Sequence, residues 1–518
     1  MADSSTNRSS ATGTAPVLVA SNRGPVSFST ADDGTLTLRR GGGGLVSGLS
    51  AIEDPNAVWV CAALNDSDRR AAAGAPHGRL DLAGHEVGGQ AVRMLDIDPQ
   101  TFSRAYNGVA NSTLWFVHHL LYATPTAPAF DAGFRTEWAA YQAYNEAFAE
   151  ALAAEAAPNA AVLVQDYHLS LVPALLREAR PDLRIGHFSH TPWAPPEYYR
   201  LLPDDVARAV LTGILGADRA CFLTHRWARA FAACCEDLLE ATVDHDALTV
   251  TFDGRTTLPQ PSAGGTPTRR TTLPQPSAGG TPTRRTTRLG VHALGADADF
   301  LRERAHRPDV DERLAALREA VGDRRTIVRV DRTELSKNIV RGLQAYRHLL
   351  RTRPEWHDRV VHIAFAYPSR TDLAEYRNYT AAVRDLAAAI NDEFATPTWQ
   401  PLILHVDDDF PRSLAAYRLA DVALVNPIRD GMNLVAKEVP VVSDHGCALV
   451  LSREAGAHAE LKDDALTVNP YDVIATADAL HAGLTMSPEE RADRTKRLTA
   501  AATALPPQQW FLDQLNAL

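Results

Sequence analysis

The sequence predicts an α/β protein built from two doubly wound, Rossmann-like domains facing each other across a cleft. Two observations predict it. Apolar runs of strand length alternate along the chain with longer amphipathic stretches, the pattern of parallel sheets covered by helices on both faces. The runs also fall into two series, in a chain whose 518 residues exceed one ordinary core. In the first half PVLVAS (16–21), AVLVQ (161–165), LRIGHFS (183–189) and RACFLT (219–224) read as strands. In the second half RTIVRV (325–330), RVVHIAFA (359–366), PLILHV (401–406), VALVN (422–426), ALVLS (448–452) and ALTVN (465–469) do so. TEWAAYQAYNEAFAEALAAEAA (136–157) and NIVRGLQAYRHLLRT (338–352) read as helices between them.

Composition narrows the function. A hydrophobic fraction of 45% with 22% charged residues is ordinary for a globular chain. A net charge of −11 argues against nucleic acid as a partner, yet leaves small anionic ligands open, since a few local arginines decide those. Cys61, Cys221, Cys234, Cys235 and Cys447 are odd in number and lack zinc or disulfide spacing, which points to a reducing cytoplasm. Residues 1–15 are polar without an apolar signal-peptide core and are expected to form a disordered tail. No apolar run reaches membrane-spanning length, so no membrane partner is expected.

One stretch stands outside this alternation. TTLPQPSAGGTPTRR occurs at 256–270 and again, identically, at 271–285. Its Pro, Gly, Ser and Thr content cannot build a core. The tandem copy reads as a flexible surface insertion over 256–287. Two strands around a turn are expected to flank it.

Chemistry gathers where strands end. RDGMNLVAKE (429–438) lies between an apolar strand and helix formers. A helix start supplies unpaired N–H donors and partial positive charge, an anion site, and Gly431 would let a ligand approach the backbone. The plainer reading is one more strand–turn–helix junction. In RVDRTELSKN (329–338), Arg332 and Lys337 suit two cations converging on a diphosphate, or else an exposed charged loop. AYPSRTDLAEY (366–376) places Arg370 after another strand. In the first half SNR (21–23) ends a strand, and RRGGGGLVSGL (39–49) is either a phosphate-admitting loop or a hairpin tip. QDYHLSLVPALL (165–176) puts Asp166 and His168, and HFSHTPWAPPEYYR (187–200) puts His190, at the edge where α/β sheets carry function.

Taken together, SNR, GGL, YN…LW, DYHL, H-x-P, DR-x-x-x-x-K, PSR-x-D, RDGMNLVAKE and VNPYD (468–472) resemble the trehalose-6-phosphate synthase family, retaining glycosyltransferases of GT-B architecture. The likeness runs from about residue 16 to 510, apart from the repeat. It implies an acceptor-binding domain over 16–295, a nucleotide-sugar domain over 296–485, and a helical segment over 486–518 that crosses back to the first domain. It implies that Arg23, Tyr106, Trp115, Asp166 and Arg370 hold glucose 6-phosphate. For a nucleoside-diphosphate glucose donor it implies Gly44, His190, Arg332, Lys337, Asp430, Gly431, Asn433, Leu434, Val435 and Glu438. The catalytic set it implies is Asp166, His190, Arg332 and Lys337, acting on a reaction with no protein nucleophile, no metal and no cofactor. The product it implies is α,α-trehalose 6-phosphate. A homo-oligomer is the family-level expectation, and no phosphatase domain is expected.

Where many members carry a second aromatic after the strand AVWVCAAL (57–64), this chain has Ala62. That keeps a related transferase, or a pseudo-glycosyltransferase using a cyclitol phosphate or glycerol 3-phosphate, as an alternative. A non-catalytic sugar-phosphate sensor is the third reading. The nucleobase is not readable from the sequence.

Overall fold

The computed structural model describes residues 13–40, 56–85, 87, 91–252 and 284–518. Gly44, with the rest of the glycine-rich loop, and most of the tandem repeat lie outside the described residues. In chain order the strands are β1 (Ala15–Ser21), β2 (Val26–Thr30), β3 (Leu36–Arg40), β4 (Val58–Ala62), β5 (Ala91–Leu95), β6 (Ala156–Gln165), β7 (Arg184–Ser189), β8 (Arg219–Phe222), β9 (Thr242–Asp244), β10 (Thr249–Phe252) and β11 (Arg285–Val291). The second half adds β12 (Arg325–Arg332), β13 (Val360–Tyr367), β14 (Leu402–His405), β15 (Val422–Val425), β16 (Ala448–Ser452) and β17 (Leu466–Val468).

Two sheets result. The first has nine strands in the order β5-β4-β1-β6-β7-β8-β11-β10-β9, parallel from β5 to β11. The second has six parallel strands in the order β14-β13-β12-β15-β16-β17. Strand order reverses between β1 and β6 in one sheet and between β12 and β15 in the other. Ligand crevices of doubly wound sheets open beyond the carboxyl ends at such reversals. β13, β15 and β16 are buried almost end to end, which is why they read as unbroken apolar runs.

Every strand expected from those runs is present. β6 begins earlier than expected, at Ala156, where the helix Ala132–Glu155 stops. Pro158 explains the stop, because the residue before a proline is pushed out of the helical region. β10 and β11 pair antiparallel with Phe252 opposite Arg285, the two strands expected to flank the repeat. β5 and the β2–β3 hairpin were not legible as apolar runs, since Arg93 and several serines and threonines interrupt them.

The last helix, Pro507–Asn516, lies on the first sheet. Trp510 is fully buried there, edge-on to Phe188 at 4.8 Å, and donates its indole N–H to the His292 carbonyl at 3.0 Å. The two halves also meet directly. Trp227 donates its indole N–H to the Gly431 carbonyl at 2.9 Å, and the Arg429 guanidinium donates to the Trp193 carbonyl at 2.8 Å. Among the described residues no helix is long and apolar enough to cross a membrane.

Candidate active site

The carboxyl ends of β1 and β6 form one wall of the cleft. Beyond β1, Asn22 is buried and accepts from the Tyr144 hydroxyl at 2.7 Å, while the next side chain, Arg23, is exposed. Beyond β6, Asp166 has φ 72° and ψ 171°. That region is nearly reserved for glycine and costs about 1–3 kcal/mol for other residues. Two hydrogen bonds impose it. Its N–H donates to the Phe188 carbonyl at 2.7 Å, and its Oδ1 accepts from the His190 N–H at 3.1 Å. Burial pushes the Asp166 carboxyl up to about 6, against the pull of the Tyr167 and His190 N–H groups. His190 Nε2 bonds Gln165 Oε1 at 2.9 Å, and burial lowers the imidazole to about 4, so it is neutral at pH 7.

Tyr106 and Trp115 illustrate how local geometry builds this wall. They are nine residues apart. At 3.6 residues per turn an α-helix would put them on opposite faces. The segment Arg104–Leu114 is instead a π-helix, whose wider i→i+5 turns bring residues nine apart back to one side. Tyr106 then stacks on His168 at 5.5 Å and Trp115 lies 5.8 Å from Tyr167, so both rings line the same loop after β6.

The second sheet supplies the other wall. Arg370, at φ 46° after β13, sits with its guanidinium 4.1 Å from the centre of the Trp115 ring. It also donates to the Tyr376 hydroxyl at 3.0 Å and to the Tyr167 hydroxyl at 3.5 Å. Beyond β12, Arg332 pairs with Glu334 at 3.0 Å, and Lys337 Nζ pairs with Asp430 Oδ2 at 2.6 Å. Burial works against the charge on both members of the second pair. Each stays ionised because the other is there: the Lys337 pKa is raised and that of Asp430 lowered. Asn433, at φ 75°, adds a bond to Asp430 Oδ2 at 3.2 Å. Leu434 then opens the helix Val435–Val442, so the N–H groups of Leu434 and Val435 belong to its first turn, while Asn433 precedes it and accepts from the Ala436 N–H at 3.3 Å. Glu438 lies within this helix beside Tyr417. Burial pushes its carboxyl up to about 7, with the Tyr417 hydroxyl pulling the other way. Lys437 turns away, donating to the Leu294 carbonyl at 2.8 Å and to Glu460 at 2.6 Å.

Gly431 has a packing reason to be glycine that the sequence did not announce. A Cβ there would lie 1.9 Å from the His190 carbonyl oxygen. The space the missing side chain leaves is filled by the opposite wall. A Cβ on Gly456 would likewise lie 1.8 Å from the Gly431 carbonyl oxygen. Three loops are therefore stacked backbone to backbone. Ala62, at the end of β4, is buried and donates its N–H to the Asn22 carbonyl at 3.2 Å.

Fifteen positions were singled out for the two ligands, and fourteen fall among the described residues; Gly44 does not. Direct contacts gather Trp115 with Arg370, Asp166 with His190, Lys337 with Asp430, and Gly431 with His190. Tyr106 stacks on His168, Arg23 is exposed beyond β1, and Glu438 stands apart beside Tyr417. Sequence reading passed over Glu334, Tyr167, Tyr376 and His119. Glu334 lay in plain view, an acid between two cations. His119 stacks on Trp115 at 3.8 Å, and burial keeps it neutral by lowering it to about 3.

Comparison with known proteins agrees with this geometry. The chain matches the family model for "Glycosyltransferase family 20" over residues 15–518. A "Bifunctional trehalose-6-phosphate synthase/phosphatase" of Thermoproteus tenax is 31% identical over 97% of this chain, which spans 63% of that protein's length. An "Alpha,alpha-trehalose-phosphate synthase [UDP-forming]" of Yarrowia lipolytica is 32% identical over 96% of this chain and 99% of its own. A solved structure, "Trehalose-6-phosphate from E. coli bound with UDP-2-fluoro glucose", superposes with a TM-score of 0.78 and 25% identity, covering 97% of this chain and 99% of that one. Two doubly wound sheets, a cleft lined by cations from one and aromatics from the other, and a match from end to end leave one assignment: the chain belongs to glycosyltransferase family 20, with the GT-B fold.

Proposed function

We propose that this protein transfers glucose with retention from a nucleoside-diphosphate glucose to glucose 6-phosphate, giving α,α-trehalose 6-phosphate, and that the nucleotide is UDP. The observation that carries the reading is Arg370 of the second sheet seated on Trp115 of the first. In it the cation read as the acceptor-phosphate ligand rests on an aromatic platform from the first wall, while sharing the second wall with Lys337 and the helix start at Leu434.

In this reading Arg332, Lys337 and the N–H groups of Asn433, Leu434 and Val435 hold the diphosphate. A GT-B transferase needs no protein nucleophile here. The acceptor hydroxyl attacks as the diphosphate leaves, and the protein orients both partners and stabilises charge on the leaving phosphate. Asp430 binds the donor-sugar hydroxyls, and His190 and Gly44 approach the sugar and phosphates. Arg23, Tyr106, Trp115 and Arg370 hold glucose 6-phosphate, with Asp166 beside the reacting hydroxyls. Glu438 takes the ribose hydroxyls. The domains divide at about residue 295. The five cysteines, all free and buried, suit a reducing cytoplasm. A homo-oligomer is part of the same reading.

The test is nucleotide release from UDP-, GDP- and ADP-glucose, with and without glucose 6-phosphate, the product identified by mass. Release from UDP-glucose that depends on glucose 6-phosphate and yields a disaccharide monophosphate is expected. Nucleotide binding without such release overturns the acceptor.

Glu438 gives a pH signature. Its raised pKa favours the ligand-free fold at acid pH. That contribution is fully present below the ordinary glutamate value near ~4.3 and is lost as pH rises through about 7. Ribose hydroxyls need the ionised form as acceptor. UDP affinity is therefore expected to weaken several-fold as pH falls from 8 to 6 in calorimetric titrations, and Glu438→Gln should flatten that slope.

A further inference from the structure

Glu334 is used by none of the roles above, yet its side chain is fully buried at the centre of the cleft. One oxygen, Oε1, takes Arg332 at 3.0 Å, Arg370 at 3.3 Å and the Ser369 hydroxyl at 3.2 Å. The other, Oε2, is buried with no hydrogen-bond partner. Three donors crowd one oxygen while its twin has none. The two arginines differ in how they are held. Arg370 is one-tenth exposed and is also gripped by Trp115, Tyr167 and Tyr376, whereas Arg332 is 56% exposed.

We propose that Glu334 is a positioning residue that couples the two anion sites, so that a diphosphate on Arg332 tightens the binding of a sugar phosphate at Arg370. The inference rests on the functional reading above. A guanidinium offers five N–H donors, so Arg370 can keep Glu334 and still accept a phosphate. An incoming diphosphate outcompetes a shared carboxylate for the exposed Arg332. Glu334 then has Arg370 as its remaining arginine and can turn Oε2 towards it, making a two-point pair. Arg370 is thereby ordered over Trp115 before the acceptor arrives, and ordering paid in advance raises affinity. Direct interaction between the bound ligands acts in the opposite sense, because two anions in one cleft repel. Tightening then comes from a mediator in the protein or from a sugar hydroxyl donating to the diphosphate, and only the first is lost with the Glu334 charge.

The experiment is the dissociation constant of glucose 6-phosphate, measured calorimetrically with and without saturating UDP. In the wild-type protein UDP is expected to tighten glucose 6-phosphate by about 5-fold or more, within the ordinary range of coupling between sites. Glu334→Gln keeps the shape and removes the charge, and there UDP should leave the affinity unchanged or weaken it. Glu334→Asp keeps the charge and should recover much of the tightening. A merely structural role would lower melting temperature and weaken both ligands without changing the ratio. No tightening in the wild type overturns the proposal without recourse to any variant, as does tightening that survives in a folded Glu334→Gln. Should Glu334→Gln fail to fold, Ser369→Ala decides: it removes one donor to Oε1 and frees that acceptor position, and a coupling factor altered from wild type is required. If the wild-type protein binds neither UDP nor glucose 6-phosphate, the functional reading fails first and the coupling falls with it.

Discussion

Gly431→Ala is expected to cost at least about 3 kcal/mol of stability, the upper part of the range for overpacked sites, and to reduce kcat/KM by about 100-fold. The added Cβ would sit 1.9 Å from the His190 carbonyl oxygen, a distance no Cβ tolerates. The obstacle is backbone, so no rotamer change relieves it. One wall must retreat by more than an ångström. Gly431 carries no left-handed φ, so the effect is steric rather than conformational. The retreat would pull Asp430 and Asn433 away from Lys337, and the Gly431 carbonyl away from the Trp227 indole. A misplacement of about 1 Å is enough to cost two orders of magnitude in rate. Gly74→Ala is the control, since its Cβ would meet nothing closer than 3.4 Å. Thermal melts and steady-state kinetics on the two variants check the result. A Gly431→Ala protein as stable and active as Gly74→Ala would mean the loops at 190 and 431 are not in contact.

Lys337→Met should reduce kcat/KM by about 100- to 1,000-fold, the usual cost of losing one donor to a developing negative charge. It should also destabilise the protein by about 3–5 kcal/mol, because it leaves the Asp430 carboxylate buried without its partner. The pH dependence separates the two effects. In the wild type Lys337 holds Asp430 below the ordinary carboxylate range, so that pair supports the fold above the unfolded aspartate value and fails as pH falls. Without Lys337, burial outweighs the remaining Asn433 hydrogen bond and raises the Asp430 pKa. Its contribution then reverses, favouring the fold at acid pH and declining as pH rises. Lys337→Met combined with Asp430→Asn should recover most of the stability and none of the activity. Recovery of activity in that double variant would show that Lys337 acts only as a counter-ion to Asp430.

The strand ends were legible because parallel strands buried on both faces must be apolar throughout, and the polar residues that follow mark where each strand leaves the sheet. Asp166, His190, Arg332, Arg370 and Asp430 could be placed at a functional edge on that ground alone. Their partners were not legible. Trp115 and Arg370 are 255 positions apart, and nothing local in either segment announces a cation on an indole. Tyr106 and Trp115 would be assigned to opposite faces by helical periodicity, and only a π-helix turns them to one side.

What this sequence determined by itself was the alternation of elements, the two sheets, the loops that carry charge, and a set of motifs specific enough to name the family. Each of these is local, written in burial period, turn residues and spacing. The tertiary structure alone decided which loops touch. It showed that Gly431 is glycine to admit the His190 carbonyl, that Lys337 and Asp430 keep each other charged, and that Glu334 stands between two arginines from neighbouring strands. Those are consequences of bringing two sheets face to face, where sterics and Coulomb energy depend on distances through space that no stretch of sequence contains.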